Sequence, residues 1–418
     1  MLILDPPEHI ELVLQQLTAH GYPAFLVGGS VRDAVMGRPV SDWDVATSAT
    51  PAEVASLFPK TFLTGEKFGT VTVLTADDAV EVTTFRTESS YQNGRRPEHI
   101  EFVSSLDEDL GRRDFTINAM AVSSTGEFID PFGGMGDIEN RVIRCVGGPN
   151  TRFTEVALRM FRAFRFSAQL GFEIEQETML AIYANVDRAR LISAERVRDE
   201  LEKTLMSNRP EMAGEMIKTG LLCRYVTKSC KKPVGLEEIA KLPVERALRW
   251  CAFCAVLLQE RLITSATDFL RDLRLDGKTT KTCSYALSIQ EFPGDIIGIK
   301  RLFARFGVDA VRCAAAAHDI KQAEVSAALR QPDIPPPCLP HLARVGEVIT
   351  CGECFSLNKL AVTGSDLIAL GHPPGPMLGK KLGSLLDHVI EHPEDNSREV
   401  LTKMAEKEYL LDGQERIV

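Results

Sequence analysis

Two aspartates, Asp42 and Asp44, flank Trp43 in the run DWDVAT. On a strand, side-chain alternation sends both carboxylates to one face. Two hard oxygen ligands side by side are what paired Mg²⁺ ions need. Upstream, the apolar run AFLV ends in Gly28 and Gly29, and Ser30, Val31, Arg32 and Asp33 then open a helix. Paired glycines let a phosphate approach the backbone, and free N–H groups at a helix start favour anions. Ser30 and Asp33 read as an S-x-x-D capping signature. Each feature by itself has an ordinary explanation: most D-x-D runs are solvated turns, and a strand, two glycines and a helix more often make a structural turn. With Asp42 ten residues past Arg32, the combination is far more specific and points to a triphosphate cradle beside a divalent-cation site. Glu81, on the β-rich run VEVTTF, is a further carboxylate for that site, although strand-edge glutamates are usually only solvated.

A second set of groups lies downstream. Placed on one helix, Glu155, Arg159 and Arg162 fall at i, i+4 and i+7 on one face, with Leu158, Phe161 and Phe164 packing elsewhere. Such a stripe is usually a solvated face, but guanidinium groups also suit bidentate bonding to a base edge or phosphate, the better reading beside a triphosphate signal. The ten cysteines include two CxxC pairs, Cys251 with Cys254 and Cys351 with Cys354. They match the count of a four-thiolate zinc site, yet about a hundred residues separate them, so reduced thiols are the reading adopted. His318 and Asp319 form a lone His-Asp doublet like that of the HD-type phosphohydrolases, a weak signal without further ligands around it.

These residues need elements to hold them. With 418 residues, 44% hydrophobic and 25% charged, the chain has material for two to four domains and a sizeable core, and wholesale disorder is excluded. A net charge of −10 argues against indiscriminate coating of nucleic acid, so any RNA site must be local. No apolar run reaches membrane-span length, and the amphipathic, acidic start does not read as a signal peptide, which predicts a cytoplasmic protein. Up to residue 148, β-rich runs (PAFLVG, GTVTVL, VEVTTF, RVIRCV) alternate with helical stretches such as PPEHIELVLQQLTAHGY, the pattern of an α/β or α+β domain. From Thr151 the pattern is helical almost throughout. It is broken by the Pro-rich stretch 331–340 and by GHPPGPMLGKK at 371–381 before a closing amphipathic helix.

The GG-x-V-R-D and D-W-D motifs together resemble the head of the class II tRNA nucleotidyltransferases, the bacterial CCA-adding enzymes, which share a family with bacterial poly(A) polymerases. Further blocks follow in the expected order: RRDFTINAMA at 112–121, DPFGGMGDIENRVIRCVG at 130–147, LRMFRAFRF at 158–166, ISAERVRDELEK at 192–203, then VTGSDLIALG and GPMLGKKLGSLL in the tail. The resemblance spans most of the chain and is weak between about 220 and 345. It implies an α+β multidomain protein: a nucleotidyltransferase head (1–148) with a mixed sheet and helices, then an all-α neck for base recognition (149–220), body (221–340) and tRNA-binding tail (341–418).

The activity so implied is template-independent addition of C, C and A to the 3′ end of tRNA from CTP and ATP, with Mg²⁺ as cofactor, no membrane partner and an oligomeric state left open. Asp42 and Asp44 would be catalytic metal ligands. Gly28, Gly29 and Arg32 would cradle the triphosphate, and Arg113, Asp114 and Asn118 would face the sugar and phosphates. Glu155, Arg159 and Arg162 would line the base site. The polar stretch with Tyr91, Gly94, Arg95, Arg96 and Pro97 reads as a mobile loop or an ordinary hairpin tip; it resembles the family's loop for switching from C to A. The alternatives are a poly(A) polymerase, a partial CC- or A-adding enzyme, a non-catalytic nucleotide sensor on the same head and, further off, HD chemistry. The acidic charge favours one compact tRNA over long poly(A) growth.

One departure stands out. Where the family carries E-D-x-x-R, with the aspartate accepting from the amino group of C or A, this chain has Glu155, Val156, Ala157, Leu158 and Arg159. Valine has no acceptor, so impaired rate or base selectivity is expected unless a neighbour such as Glu155 turns in.

Overall fold

The computed structural model describes residues 4–40, 42–75, 78–92, 96–227, 231–328 and 339–414. The chain divides into two compact units, Met1–Lys232 and Pro233–Val418. The first begins with α1 (Glu8–Ala19), β1 (Ala24–Val27), α2 (Gly29–Val35), β2 (Asp44–Thr47), α3 (Pro51–Leu57), β3 (Thr61–Gly65), β4 (Thr70–Leu74) and β5 (Ala79–Thr84). It continues through β6 (Arg86–Gln92), β7 (Arg96–Phe102), α4 (Leu106–Gly111), β8 (Ala121–Ser123) and β9 (Phe128–Ile129).

A seven-stranded mixed sheet runs in the order β3-β4-β5-β2-β1-β8-β9. The central strands β1 and β2 are buried almost without alternation because the sheet centre is covered on both faces, whereas β4 and β5 alternate buried and more exposed residues. Leu26 and Val45 pack with Ile10, Val13, Leu14 and Leu17 of α1, while Val27 and Ala46 pack on the other side with Phe85, Leu110 and Ala121. Strands β1 and β2 are antiparallel, with Val27 opposite Asp44. The end of β1, from which the glycine pair leads, therefore lies beside the start of β2, which carries the aspartate. That register brings the two sequence motifs together.

Helical structure then takes over, with α5 (Gly134–Glu139), β10 (Val142–Ile143), α6 (Pro149–Glu155), α7 (Leu158–Leu170), β11 (Glu173–Ile174), α8 (Gln176–Asn185), α9 (Ala194–Leu205) and α10 (Met212–Thr219). Strands β10 and β11 form a parallel two-stranded pair. The second unit is helical among its described residues: α11 (Arg246–Gln259), α12 (Ala266–Asp272), α13 (Gly277–Ser288), α14 (Ile296–Phe306), α15 (Val308–Ala328), α16 (Pro340–Thr350), α17 (Gly364–Ala369), α18 (Pro376–Glu391) and α19 (Arg398–Gln414). The α+β class read from the sequence, a mixed-sheet head followed by helices, is the architecture found.

Four local expectations change. The helix after the glycine pair starts at Gly29, not after Ser30. Gly28, at φ 76°, closes the turn, and the Ser30 hydroxyl donates back to the Val27 carbonyl at 2.9 Å instead of capping. The polar stretch 84–102 forms an antiparallel ribbon of β6 and β7, paired from Arg86 with Phe102 to Gln92 with Arg96. Gly94 and Arg95 lie outside the described residues, and of Tyr91, Arg96 and Pro97 only the backbone is described. The expected single helix through Glu155 and Arg162 is two helices, broken at Val156, whose backbone is extended (φ −138°, ψ 95°). Finally, the Gly/Pro stretch 371–381 does not stop short of its helix, because Pro376 takes a first-turn position of α18, where its missing N–H costs nothing. The Pro-rich stretch 331–340 lies outside the described residues up to position 338.

Candidate active site

Gly28, Gly29, Arg32, Asp42, Asp44, Arg113, Asp114, Asn118, Val156, Arg159 and Arg162 all line one cleft of about 830 Å³. Eleven of the twelve residues that the resemblance assigns to metal or nucleotide thus converge, although they come from four separated segments. The twelfth, Glu155, is not among the cleft-lining residues.

At the floor, Gly28 has a backbone (φ 76°, ψ −131°) that L side chains rarely adopt. A Cβ built there would lie 2.9 Å from Nη1 of Arg113 and 3.6 Å from Oδ2 of Asp44. Glycine is therefore required twice, for the turn and for the close approach of arginine and carboxylate above it. Arg113 donates to Asp109 at 3.3 Å, and its Nε is buried without an acceptor among the described residues.

Asp44 opens β2, whereas Asp42 precedes the strand. The two carboxylates share the cleft because the chain enters it there, not through strand alternation. Glu81 pairs with Asp44 in parallel register across β2 and β5. The cleft walls strip water from Asp44, and although Arg113 opposes the effect, Glu81 and Asp42 add repulsion, so the carboxyl lies above its usual range. A divalent cation would relieve that repulsion, so Asp42 and Asp44 fit one. Among the described residues no group of three or more His, Cys, Asp or Glu gathers that could hold a metal ion.

A hydrogen-bonded chain crosses the cleft. Arg32 donates to the Asn118 side chain at 2.6 Å, and Asn118 donates to Asp114 at 3.1 Å. Arg162 donates to the other Asp114 oxygen at 2.6 Å, and the Phe115 N–H adds a bond at 2.9 Å. Burial alone would raise Asp114, but Arg162 and Asn118 outweigh it and bring the carboxyl down to about 2. Arg32, Arg162 and Arg165 surround the Phe166 ring, at 5.3, 5.3 and 3.9 Å from its centroid.

At the junction of α6 and α7, Glu155 accepts from Arg152 at 3.0 Å and from Arg159 at 2.7 Å. Arg159 also donates to the Arg112 carbonyl at 2.6 Å. Val156 and Leu158 both line the cleft, so Leu158 does not pack away from the arginine stripe as its helix spacing suggested. Sequence reading also passed over Arg112, Arg165, Phe166, Arg196 and Lys203, all lining the cleft. Arg165 and Phe166 sit inside LRMFRAFRF. Arg196 and Lys203 are i, i+7 on α9, a spacing visible in ISAERVRDELEK.

The rival motifs have other uses. Asp319 accepts from the backbone N–H groups of His341 and Leu342, tying down the start of α16, and from the His341 ring at 2.7 Å. His318 lies 3.1 Å, ring nitrogen to oxygen, from the Ile289 carbonyl. Cys251 and Cys254 are buried inside α11, their thiols pushed well up, Cys251 by thiol contacts with Cys283 and Cys313 and by burial, Cys254 by burial. Cys351 is exposed and Cys354 buried.

Comparison with known proteins places the whole chain in a family. Residues 24–144 match the poly A polymerase head domain, and residues 171–225 match the probable RNA and SrmB-binding site of polymerase A. The chain is 38% identical to a CCA-adding enzyme of Geobacillus sp. (strain WCH70), over 96% of this chain and 97% of that protein. It is 36% identical to the CCA-adding enzyme of Enterococcus faecalis (strain ATCC 700802 / V583), over 95% of each. The crystal structure of Bacillus stearothermophilus CCA-adding enzyme in complex with CTP superposes with a TM-score of 0.79 at 32% identity, covering 99% of this chain and all of that one. With this similarity running along its whole length, the chain belongs to the CCA-adding enzyme family.

Proposed function

We propose that this chain adds C, C and A to the 3′ end of tRNA from CTP and ATP, without a template, releasing pyrophosphate. The observation that carries the reading is the meeting, in one cleft, of the Gly28–Gly29 turn, the carboxylates Asp42 and Asp44, and the Arg32–Asn118–Asp114–Arg162 chain. In the reaction the RNA 3′-hydroxyl oxygen attacks the α-phosphorus in line, and the bond to the pyrophosphate oxygen breaks. The protein's task is positioning and charge stabilisation. Gly28 and Gly29 let the triphosphate approach the backbone, and Arg32, held in place by Asn118, faces its charge. Asp114 keeps Arg162 oriented and cationic at the sugar side. Mg²⁺ held by Asp42 and Asp44 would supply Lewis acidity for the attacking hydroxyl and the phosphoryl oxygens. The head (1–148) would do the chemistry, the neck (149–220) read the base and the tail (341–418) grip tRNA, with a helical body (221–340) between them in sequence.

The test is primer extension on tRNA lacking its last three nucleotides, with CTP and ATP supplied separately and together, in the wild type and in Asp42→Ala and Asp44→Ala. The wild type should stop after two C with CTP alone and finish with A when both are present. Each alanine variant should lose turnover by several orders of magnitude while still folding. Growth of long A tracts would identify a poly(A) polymerase, and near-normal turnover in either variant at saturating Mg²⁺ would overturn the metal assignment.

A further inference from the structure

Asp109, on α4 (Leu106–Gly111), is fully buried and is not among the residues that line the cleft. A carboxylate kept from water is stable only when its oxygens are paired. One oxygen accepts from Arg112 twice, at 2.9 Å from Nε and 2.7 Å from Nη2, and from the Arg86 N–H at the foot of β6 at 3.3 Å. The other accepts from Nη2 of Arg113 at 3.3 Å. Arg112 and Arg113 stand at i+3 and i+4 from Asp109, the spacings at which side chains meet across a helical turn. Two arginines adjacent in sequence repel each other, and one residue of helix turns a side chain by about 100°. The shared carboxylate offsets both effects, and both arginines line the cleft.

The consequence falls on Arg113, whose two terminal nitrogens are divided between separate tasks. Nη2 is held by Asp109. Nη1 stands 2.9 Å from the point a Gly28 Cβ would occupy, with Oδ2 of Asp44 3.6 Å from that same point. Its other bond, to the Asn118 carbonyl, is long at 3.5 Å, and Nε has no acceptor among the described residues. The aim of Nη1 therefore depends on the grip at Nη2. We infer that Asp109 is a positioning residue for nucleotidyl transfer: by holding Nη2 of Arg113 it keeps Nη1 over the Gly28 turn, ready for the triphosphate. Asp109 itself touches no substrate. This rests on the function proposed above, which sets the triphosphate at that turn.

The experiment is a double-mutant cycle over the wild type, Asp109→Asn, Arg113→Ala and the pair. It measures kcat and KM for CTP on tRNA lacking its last three nucleotides, CTP binding by calorimetry, and thermal unfolding. Asparagine keeps the shape, and its amide oxygen can still accept from Arg112 and the Arg86 N–H, but its NH2 group turns a donor toward Arg113. With that charge-assisted bond lost, kcat/KM for CTP should fall about 10- to 100-fold, with KM and the calorimetric Kd both rising. In the Arg113→Ala background the same change should cost less than about threefold. A carboxylate that served only the fold would lower the active fraction alike in both backgrounds and leave KM for CTP unmoved, and either result would overturn the inference. Asp109→Glu keeps the charge, and with it the fold, but carries the carboxylate one methylene further. It should lose kcat/KM several-fold, again only while Arg113 is present, and it decides the question where the asparagine variant does not unfold cooperatively. A wild type that neither binds CTP nor extends tRNA would overturn the proposed function, whereas an active wild type matched by Asp109→Asn would overturn this inference alone.

Discussion

Val156→Asp tests whether the base-reading site lacks an acceptor, and the structure sets the size of the effect. Val156 is extended at the end of α6, one residue before Ala157, the N-cap of α7, and its carbonyl accepts from the Arg159 N–H at 3.0 Å. A carboxylate at 156 would stand at the cleft wall beside the Arg159 guanidinium. The competing idea is that Glu155 already supplies the acceptor. Glu155 is bonded to both Arg152 and Arg159, and the Arg159 side chain is only 8% exposed. Removing one partner from a buried pair costs about 3–5 kcal/mol, whereas a hydrogen bond to a charged group returns about 1.5–3 kcal/mol. Glu155 is therefore expected to stay with its arginines, which on the proposed function leaves the valine site without an acceptor for the amino group of C or A. Restoring one should raise the preference for CTP over UTP by that bond, a factor of about 10 to 150 at 1.4 kcal/mol per decade. The assay is kcat/KM for CTP, ATP and UTP on tRNA lacking its terminal nucleotides, with thermal unfolding alongside. A CTP/UTP ratio that is already high in the valine protein and moves less than about threefold in the aspartate variant would refute the reasoning.

Two further outcomes follow from the same geometry. Gly28→Ala places a methyl 2.9 Å from Arg113 Nη1 on a backbone at φ 76°; strain of about 1–3 kcal/mol and a displaced arginine should lower kcat/KM by about 10- to 100-fold or more, and near-normal kinetics would mean that no phosphate approaches the turn. Asp114→Asn keeps the shape but removes the charge that Arg162 faces. The fall of the Asp114 carboxyl from 3.8 to about 2 corresponds to about 2 kcal/mol of stability. Because the folded-state value is the depressed one, that contribution is complete above about pH 4 and fades as pH falls toward 2. The difference in urea midpoint between wild type and variant should hold from about pH 7 to about pH 4 and shrink below, and its disappearance near pH 6 would refute the assignment.

The elements were legible in sequence where a single period decided them. AFLV, VTVL and AVEVTT became β1, β4 and β5 because short β-branched runs between turn residues have few other ways to be buried, and α1 showed its apolar stripe. The break at Val156 was not legible: Glu155 and Arg159 have helix spacing, and they do meet at 2.7 Å, but across a junction in which one residue is extended. An i, i+4 pair reports that two side chains are neighbours, and a helix is only the commonest way to make them so. Ser30 misled for a related reason. An S-x-x-D pattern marks a cap only if the preceding residue cannot start the helix sooner, and Gly28 at positive φ can.

The site was legible to the extent that its chemistry lay in motifs, and its electrostatics were not. Asp109 looks ordinary in LDEDLGRR, one of three acidic residues in a short helix, yet it is fully buried and holds both Arg112 and Arg113. Glu200 is likewise one of several acids on α9, and only its facing toward α7 makes it the partner of Arg165. Composition counts these charges and cannot pair them, because a shift of one residue along a helix turns a side chain by about 100°. Moving the Glu200 carboxylate one position along α9 would leave the charge count unchanged and take from Arg165, above the Phe166 ring, its partner. Which cations stand beside a carboxylate of the protein is decided by that rotation, and reading it needs the fold.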